Sequence, residues 1–315
     1  MRRLGQLAFA AGVFALAAIP AAAEVRIAAT VKPIHSLVAA VMGKTGEPAL
    51  ILDGTVSEHV ATLRPSQARM IENADVIFAV GEGLESFLPR LLETRDGQTV
   101  VELTEAPGMR LYPYREQRDD EHEERSAEAD GHAEAAEDHH EHGDVDPHIW
   151  VDPDNAKAMA RHIAEVLAKA DAANAEVYRR NAEALVREFD ALARELEAKF
   201  APVKSRPFLV FHDAYQYLEK RFGLNGLGGI VLTPESPPGA RRLKEIRERI
   251  AEAGISCVFS EPQFEVGYVR TVMEGTGARS ASLDILGVAV EPGPGAYRAI
   301  LLDVTDTMVE CLSGS

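Results

Sequence analysis

The chain has 315 residues, of which 46% are hydrophobic, and this is enough for two domains with ordinary cores. The formal net charge is −17, but residues 115–147 hold 14 acids against 3 arginines, a net of −11, which leaves −6 for all other residues. No basic surface is therefore available to follow the phosphates of a nucleic acid, and we exclude a nucleic-acid partner.

The first 23 residues have the three-part pattern of a secretory signal peptide. Arg2 and Arg3 precede an apolar run over residues 4–19, and Ala21-Ala22-Ala23 supplies small residues for cleavage before Glu24. The apolar run is short for a permanent membrane helix. We expect a mature chain that begins near Glu24 and works outside the cytoplasm.

After this segment, strands alternate with helices over short connections. Predicted strands cover residues 25–30, 49–52, 75–80 and 99–103, and predicted helices cover residues 33–42, 65–73 and 84–92. This alternation indicates a parallel sheet that is covered on both faces. We assign residues 24–173 to an N-terminal α/β lobe.

An acidic, histidine-containing loop over residues 115–147 interrupts that lobe. It has hardly any apolar residue larger than alanine, so it cannot bury enough surface to offset the entropy of ordering, and we predict a solvated, mobile loop. Its histidines are His122, His132, His139, His140 and His142. An acidic run can also be no more than a solubilising segment.

A long helical region follows. Asp152 and Pro153 predict an N-cap and a first-turn proline, and a break is expected near residues 171–174. The next helix reaches Phe200. Its apolar residues have spacings of 4, 3, 4 and 4, at Leu185, Phe189, Leu192, Leu196 and Phe200. Some 26 residues in one helix, about 39 Å, predict a linking helix over residues 174–202.

The alternation resumes in residues 203–315, which we assign to a C-terminal α/β lobe. Predicted strands cover residues 208–211, 227–232, 256–260 and 278–283, and predicted helices cover residues 214–222, 240–253, 266–274 and 295–312. The predicted fold class is therefore α/β, with two lobes, each a mainly parallel sheet flanked by helices, joined by one long helix. Cys257 and Cys311 form an even pair in an oxidising compartment, which predicts a disulfide.

Four potential metal ligands follow predicted strands. His59 and His148 lie in the first lobe, and His212 and Asp284 lie in the second. Because ligands of open parallel sheets bind at the carboxyl ends of the strands, these positions predict a metal site in the cleft between the lobes. Glu58, beside His59, is a further candidate for the fourth ligand. His35 and His162 fall within helices and receive structural or surface roles.

Three imidazoles and one oxygen favour Zn²⁺, whereas more carboxylates would favour Mn²⁺. Three protein nitrogens with an open position are also typical of a catalytic zinc site. However, the sequence lacks HExxH, Gly-x-Ser-x-Gly and a phosphate-binding glycine loop. An enzyme is therefore the weaker alternative.

Several short motifs resemble those of the zinc-binding periplasmic components of ABC transporters. They are Ser57-Glu58-His59, Leu63-Arg64-Pro65-Ser66, Asp146-Pro147-His148-Ile149-Trp150, Phe211-His212-Asp213-Ala214-Tyr215, Glu261-Pro262-Gln263-Phe264 and Leu283-Asp284. The resemblance covers essentially the whole mature chain, including the acidic loop and the cysteine pair. One departure is Ile285, where the family often has proline.

This resemblance implies a periplasmic binding protein, not an enzyme, that captures Zn²⁺ and delivers it to an ABC permease in the inner membrane. His59, His148 and His212 match the imidazole ligands of the family. The fourth position varies within the family, so Asp284, Glu58 and water all stay open. A manganese or iron binder of the same fold is the main alternative, ahead of a zinc-dependent hydrolase.

For the loop histidines we expect weak, multiple zinc sites. A monomer is expected, and a metallochaperone is a further candidate partner.

Overall fold

The computed structural model describes residues 25–55, 57, 59, 62–85, 87–88, 97–115, 145–231, 239–264 and 267–314. These residues form two four-stranded sheets in which all paired strands are parallel, and helices flank both sheets. The predicted fold class is confirmed. In the part of the chain that the structure describes, no helix is both long and apolar enough to cross a membrane.

The first sheet has the strand order β2-β1-β3-β4. Its strands are β1 (Ile27–Val31), β2 (Ala49–Leu52), β3 (Val76–Ala79) and β4 (Thr99–Glu102). Every residue of β1 and β3 is buried. These two central strands are apolar except for Thr30, because helices cover both faces of a parallel sheet.

Three helices of the first lobe begin with a proline in the first turn. They are α1 (Lys32–Met42), α2 (Pro65–Asn73) and α3 (Pro153–Ala170). Proline fits there because the first N–H groups of a helix have no intrahelical acceptor. As predicted, the Asp152 carboxylate caps α3 by accepting from the backbone N of Asp154 at 2.8 Å.

The long helix α4 (Ala175–Phe200) follows a 3₁₀ turn at Ala172–Asn174, where the sequence predicts a break. Its predicted apolar stripe is buried throughout, at Leu185, Phe189, Leu192, Leu196 and Phe200. The helix packs along α3 and α1, and Asn181 Nδ2 donates to the carbonyl of Val41 at 2.9 Å. This helix is therefore part of the core and not a free connector.

The second sheet repeats the arrangement, with strand order β6-β5-β7-β8. Its strands are β5 (Phe208–His212), β6 (Gly226–Val231), β7 (Cys257–Ser260) and β8 (Arg279–Ser282), and its helices are α5 (Gln216–Phe222), α6 (Ala240–Glu252), α7 (Gly267–Met273) and α8 (Ala296–Ser313).

The start of α5 differs from the prediction, which begins this helix at residue 214. It begins two residues later because Ala214 N donates to the His212 carbonyl at 2.9 Å in a tight turn.

The glycines of β6 make room for a buried acidic side chain. A Cβ on Gly226 would lie 2.2 Å from the carboxyl carbon of Glu219. Arg115, which reaches over from the first lobe, binds Glu219 at 2.7 Å and Asp213 at 3.1 Å. The glycine-rich strand therefore leaves space for an ion-pair network between the lobes.

Helix α8 contacts both lobes. Tyr297 N donates to Ser36 Oγ of α1 at 2.9 Å, and Arg298 binds Glu195 of α4 at 2.7 Å. The predicted disulfide between Cys257 and Cys311 is confirmed, and it ties α8 to β7 with a Cα–Cα distance of 6.2 Å. One hydrophobic core thus runs from the first sheet through α4 to one face of the second sheet. The division of the chain at residues 173 and 202 stays a prediction.

Candidate metal centre

Three histidines converge between the lobes. His59 follows β2, His148 precedes a 3₁₀ turn at Ile149–Val151, and His212 is the last residue of β5. One ligand atom of each lies within 4.8 Å of the other two. Among the described residues, this is the one group of three or more His, Cys, Asp or Glu side chains that is close enough to hold a metal ion.

The spacing of the nitrogens suits zinc. Nε2 of His59 lies 3.2 Å from Nε2 of His148. Two nitrogens that bind one tetrahedral zinc ion at about 2.1 Å are about 3.4 Å apart. The ring centroids of His148 and His212 are 4.7 Å apart, which is closer than the 5.2 Å between those of His59 and His148. Both first-lobe imidazoles therefore present Nε2 to one point, and His212 faces them from the second lobe.

A buried carboxylate fixes the ring of His148. Asp146 Oδ1 accepts from both Nδ1 and the backbone N of His148, at 2.7 and 3.0 Å. Its Oδ2 accepts from Gln216 Nε2 at 2.9 Å, and its carbonyl accepts from the Tyr217 hydroxyl at 2.8 Å. Because Nδ1 must donate to Asp146, Nε2 keeps its lone pair for a metal.

His212 has a similar arrangement. Its Nδ1 lies 3.3 Å from Glu261 Oε2, and the Tyr215 hydroxyl donates to Glu261 Oε1 at 2.8 Å. Glu261 follows β7, and only 4% of its surface is exposed. Each of the two fully buried imidazoles thus has one carboxylate that orients its ring.

Aromatic rings pack beside the two buried imidazoles. The side chain of His148 is buried and packs beside Trp150, with ring centroids at 5.5 Å, while the Phe264 ring lies 5.8 Å from that of His212. Burial, followed by the nearby His148 and His212, lowers the pKa of His59 to about 2. Neutral imidazole is the form that binds a metal, so His59 is ready to bind at neutral pH.

Of the predicted fourth ligands, Asp284 is not part of this three-histidine group. Its Oδ1 accepts from Gly287 N at 2.8 Å and so caps its own turn. Glu58 lies outside the described residues. The identity of the fourth ligand stays a prediction.

The remaining histidines divide in two. His35 Nε2 lies 3.0 Å from the Pro48 carbonyl, and His162 is in the middle of α3, both away from the metal group. The loop histidines, like the predicted signal peptide, lie outside the described residues. They are His122, His132, His139, His140 and His142.

The roles of the two orienting carboxylates are not predicted from the sequence. Glu261 follows a predicted strand, which is the signal that identifies Asp284, and Asp146 precedes His148 by two residues. Each of these positions is a sequence signal that marks the carboxylate as a candidate partner of the metal site. The lobe-to-lobe contact between Asp146 and Gln216 has no local signal at all.

Two α/β lobes that hold three converging imidazoles in the cleft between them define a metal-binding protein of the two-lobed class. Residues 27–311 match the protein family described as ZnuA, zinc-uptake complex component A, periplasmic, and the chain belongs to this family.

Its relatives include the high-affinity zinc uptake system proteins ZnuA of Brucella suis and Paracoccus denitrificans. The first is 42% identical over 312 residues, which cover 91% of each chain, and the second is 36% identical over 317 residues, which cover 96% of each chain.

A solved structure of the SBP FpvC from Pseudomonas aeruginosa, in complex with Mn²⁺, is also similar. It has a TM-score of 0.73 and 24% identity, and the match covers 92% of this chain and 99% of FpvC. At this identity the likeness shows the fold alone.

Proposed function

We propose that this protein captures Zn²⁺ in the periplasm and delivers it to an ABC importer in the inner membrane. The observation that carries this proposal is the convergence of three imidazoles, two of them oriented by the buried carboxylates of Asp146 and Glu261. Nitrogen-rich sites with tetrahedral spacing suit zinc better than manganese, which favours oxygen ligands. Family membership supports the same function.

Titration of the metal-stripped, purified protein with zinc tests the site. The variants His59→Ala, His148→Ala and His212→Ala should each lose tight binding because each removes one ligand. His162→Ala removes an imidazole that lies outside the group and should bind zinc like the wild-type protein. Tight binding by all three site variants would show that the assignment is wrong.

Metal selectivity is tested by competition at equal free concentrations of Zn²⁺, Mn²⁺ and Fe²⁺. We expect zinc to displace the other two ions, and preferential retention of manganese or iron would contradict the proposal.

We further propose that the protein acts without chemical turnover, as a monomer, and that residues 1–23 are a cleaved signal peptide. Binding rather than catalysis is favoured because neither HExxH nor Gly-x-Ser-x-Gly occurs in the sequence. Chelator-sensitive hydrolysis of an ester, amide or phosphoester would contradict the assignment as a non-enzyme.

If residues 1–23 are cleaved, the mass of the exported protein should correspond to a chain that starts near Glu24.

A further inference from the structure

The turn after β8, residues 284–290, is held mainly by the other lobe. We call it the interlobe turn. Within it, Asp284 Oδ1 accepts from Gly287 N, and Gly287 has a φ of +68°. A Cβ on Gly287 would lie 2.6 Å from Ile300 of α8. Glycine is therefore required here for both its conformation and its size, and the turn has a defined shape.

A buried lysine of the first lobe binds this turn. Lys32, the first residue of α1, is only 3% exposed, and its Nζ donates to the carbonyls of Gly287, Val288 and Val290. The distances to Val288 and Val290 are 3.5 and 2.8 Å. An ammonium has three donors, and these three carbonyls match their number. Leaving this group buried without acceptors would be costly.

Two other contacts join the same turn to the segments that carry the first-lobe imidazoles. Trp150, two residues after His148, donates from Nε1 to the carbonyl of Ile285 at 3.1 Å. Gly54, five residues before His59, lies so close to Leu286 that a Cβ there would be 3.2 Å from the Leu286 Cβ. Any shift of the interlobe turn relative to the first lobe would therefore displace the segments that carry His59 and His148.

The second lobe also contacts Gly54. Gln263, two residues after Glu261, donates from Nε2 to the Gly54 carbonyl at 2.9 Å. The segment before His59 is thus held between the interlobe turn and the segment that orients His212. The contacts of the interlobe turn, which Lys32 holds, therefore reach the segments that carry or orient all three imidazoles.

We propose that Lys32 is a positioning residue for zinc binding. By holding the interlobe turn on the first lobe, it fixes the separation of the lobes at which His59, His148 and His212 converge. This inference rests on the proposed function, since it concerns the same metal site. A purely structural lysine would change the stability of the fold but not the rate at which bound zinc leaves.

The test compares variants of the full mature chain. Lys32→Met keeps the length of the side chain and removes its donors, whereas Lys32→Arg keeps a cation. Val258→Ala is the control, because Val258 is buried in a separate core on the far face of the second sheet. The zinc dissociation rate is measured by stopped-flow transfer to a chelator, and the stability of each metal-free variant by urea unfolding.

Loss of a residue that orients a metal ligand typically lowers the affinity about 10–100-fold. Lys32 acts through the interlobe turn and not on a ligand itself, so we expect the lower end of this range. Zinc should therefore leave Lys32→Met about tenfold faster than it leaves the wild-type protein. Lys32→Arg should restore part of the difference, and Val258→Ala should release zinc at the wild-type rate despite its lower stability. A Lys32→Met rate equal to that of Val258→Ala would overturn the proposal.

Trp150→Phe provides a second variant if Lys32→Met does not fold. It removes the donor to Ile285 and part of the ring that packs beside His148, so it should also accelerate dissociation, and a wild-type rate would overturn the inference in that case. Failure of the wild-type protein to bind zinc would instead refute the proposed function.

Discussion

Replacement of Asp146 by asparagine is the sharpest test of how the site is organised. Asparagine has nearly the same shape, so the change removes a charge without leaving a cavity. The wild-type carboxylate accepts from His148 Nδ1 and, through its other oxygen, from Gln216 Nε2. An amide has only one acceptor oxygen, so Asp146→Asn cannot satisfy both donors.

The neighbouring contacts prevent an easy adjustment. If the amide oxygen faces His148, its NH₂ group faces the NH₂ group of Gln216, and two donors oppose each other. Rotation of Gln216 would relieve this, but its Nε2 also donates to the carbonyl of Pro113 at 2.9 Å. The fold must then lose one hydrogen bond or let the His148 ring turn.

The expected result is weaker zinc binding. Loss of a carboxylate that orients a metal-bound histidine costs about 10–100-fold in affinity, or about 1.4–2.8 kcal/mol. The value should lie in this range because Asp146 is 1% exposed, and water cannot replace the lost contact. Competition with a chelator of known affinity measures the dissociation constant.

Asp154→Asn is the matched control. Its carboxylate binds Arg110, Lys157 and Arg221 at 3.0, 2.8 and 2.9 Å and, within the described part of the chain, is bonded to no imidazole. We expect this variant to lose stability and to keep its affinity for zinc. Equal zinc affinities for Asp146→Asn, Asp154→Asn and the wild-type protein would refute the role of Asp146.

Three further predictions concern other parts of the chain. Burial raises the pKa of Glu85 from 4.5 to about 7, so the fold favours the neutral acid; the free energy of unfolding should fall by up to about 3 kcal/mol as the pH rises from about 4.5 to about 7. Urea unfolding across this range should show a flatter profile for Glu85→Gln, and identical profiles would contradict the reasoning. The double variant Cys257→Ala, Cys311→Ala opens a crosslink over 54 residues and should lose about 4 kcal/mol of stability while zinc affinity stays unchanged; a large loss of affinity would mean that the disulfide also shapes the site. Deletion of residues 116–144 should leave one tight zinc site and remove weaker ones, because five of the ten histidines lie there; an unchanged zinc stoichiometry in calorimetry would rule out the loop sites.

The sequence by itself determined the elements of this fold. Apolar runs, first-turn prolines and the Asp152 cap act within a few residues, so the order and approximate bounds of strands and helices follow from local patterns. The alternation of strands and helices predicts parallel sheets, and parallel sheets place their strand ends at one edge. For this reason the sequence groups His59, His148 and His212, and by the same rule Asp284, which is not part of the three-histidine group.

Only the tertiary structure decided which side chains meet across the two lobes. Asp146 binds Gln216, and Lys32 reaches carbonyls of a turn that begins more than 250 residues later. Helix α8 packs on α1 although the chain places it at the end of the second lobe. Such contacts leave no periodic trace in the sequence, because they depend on how two finished lobes pack together rather than on the local conformation of either partner.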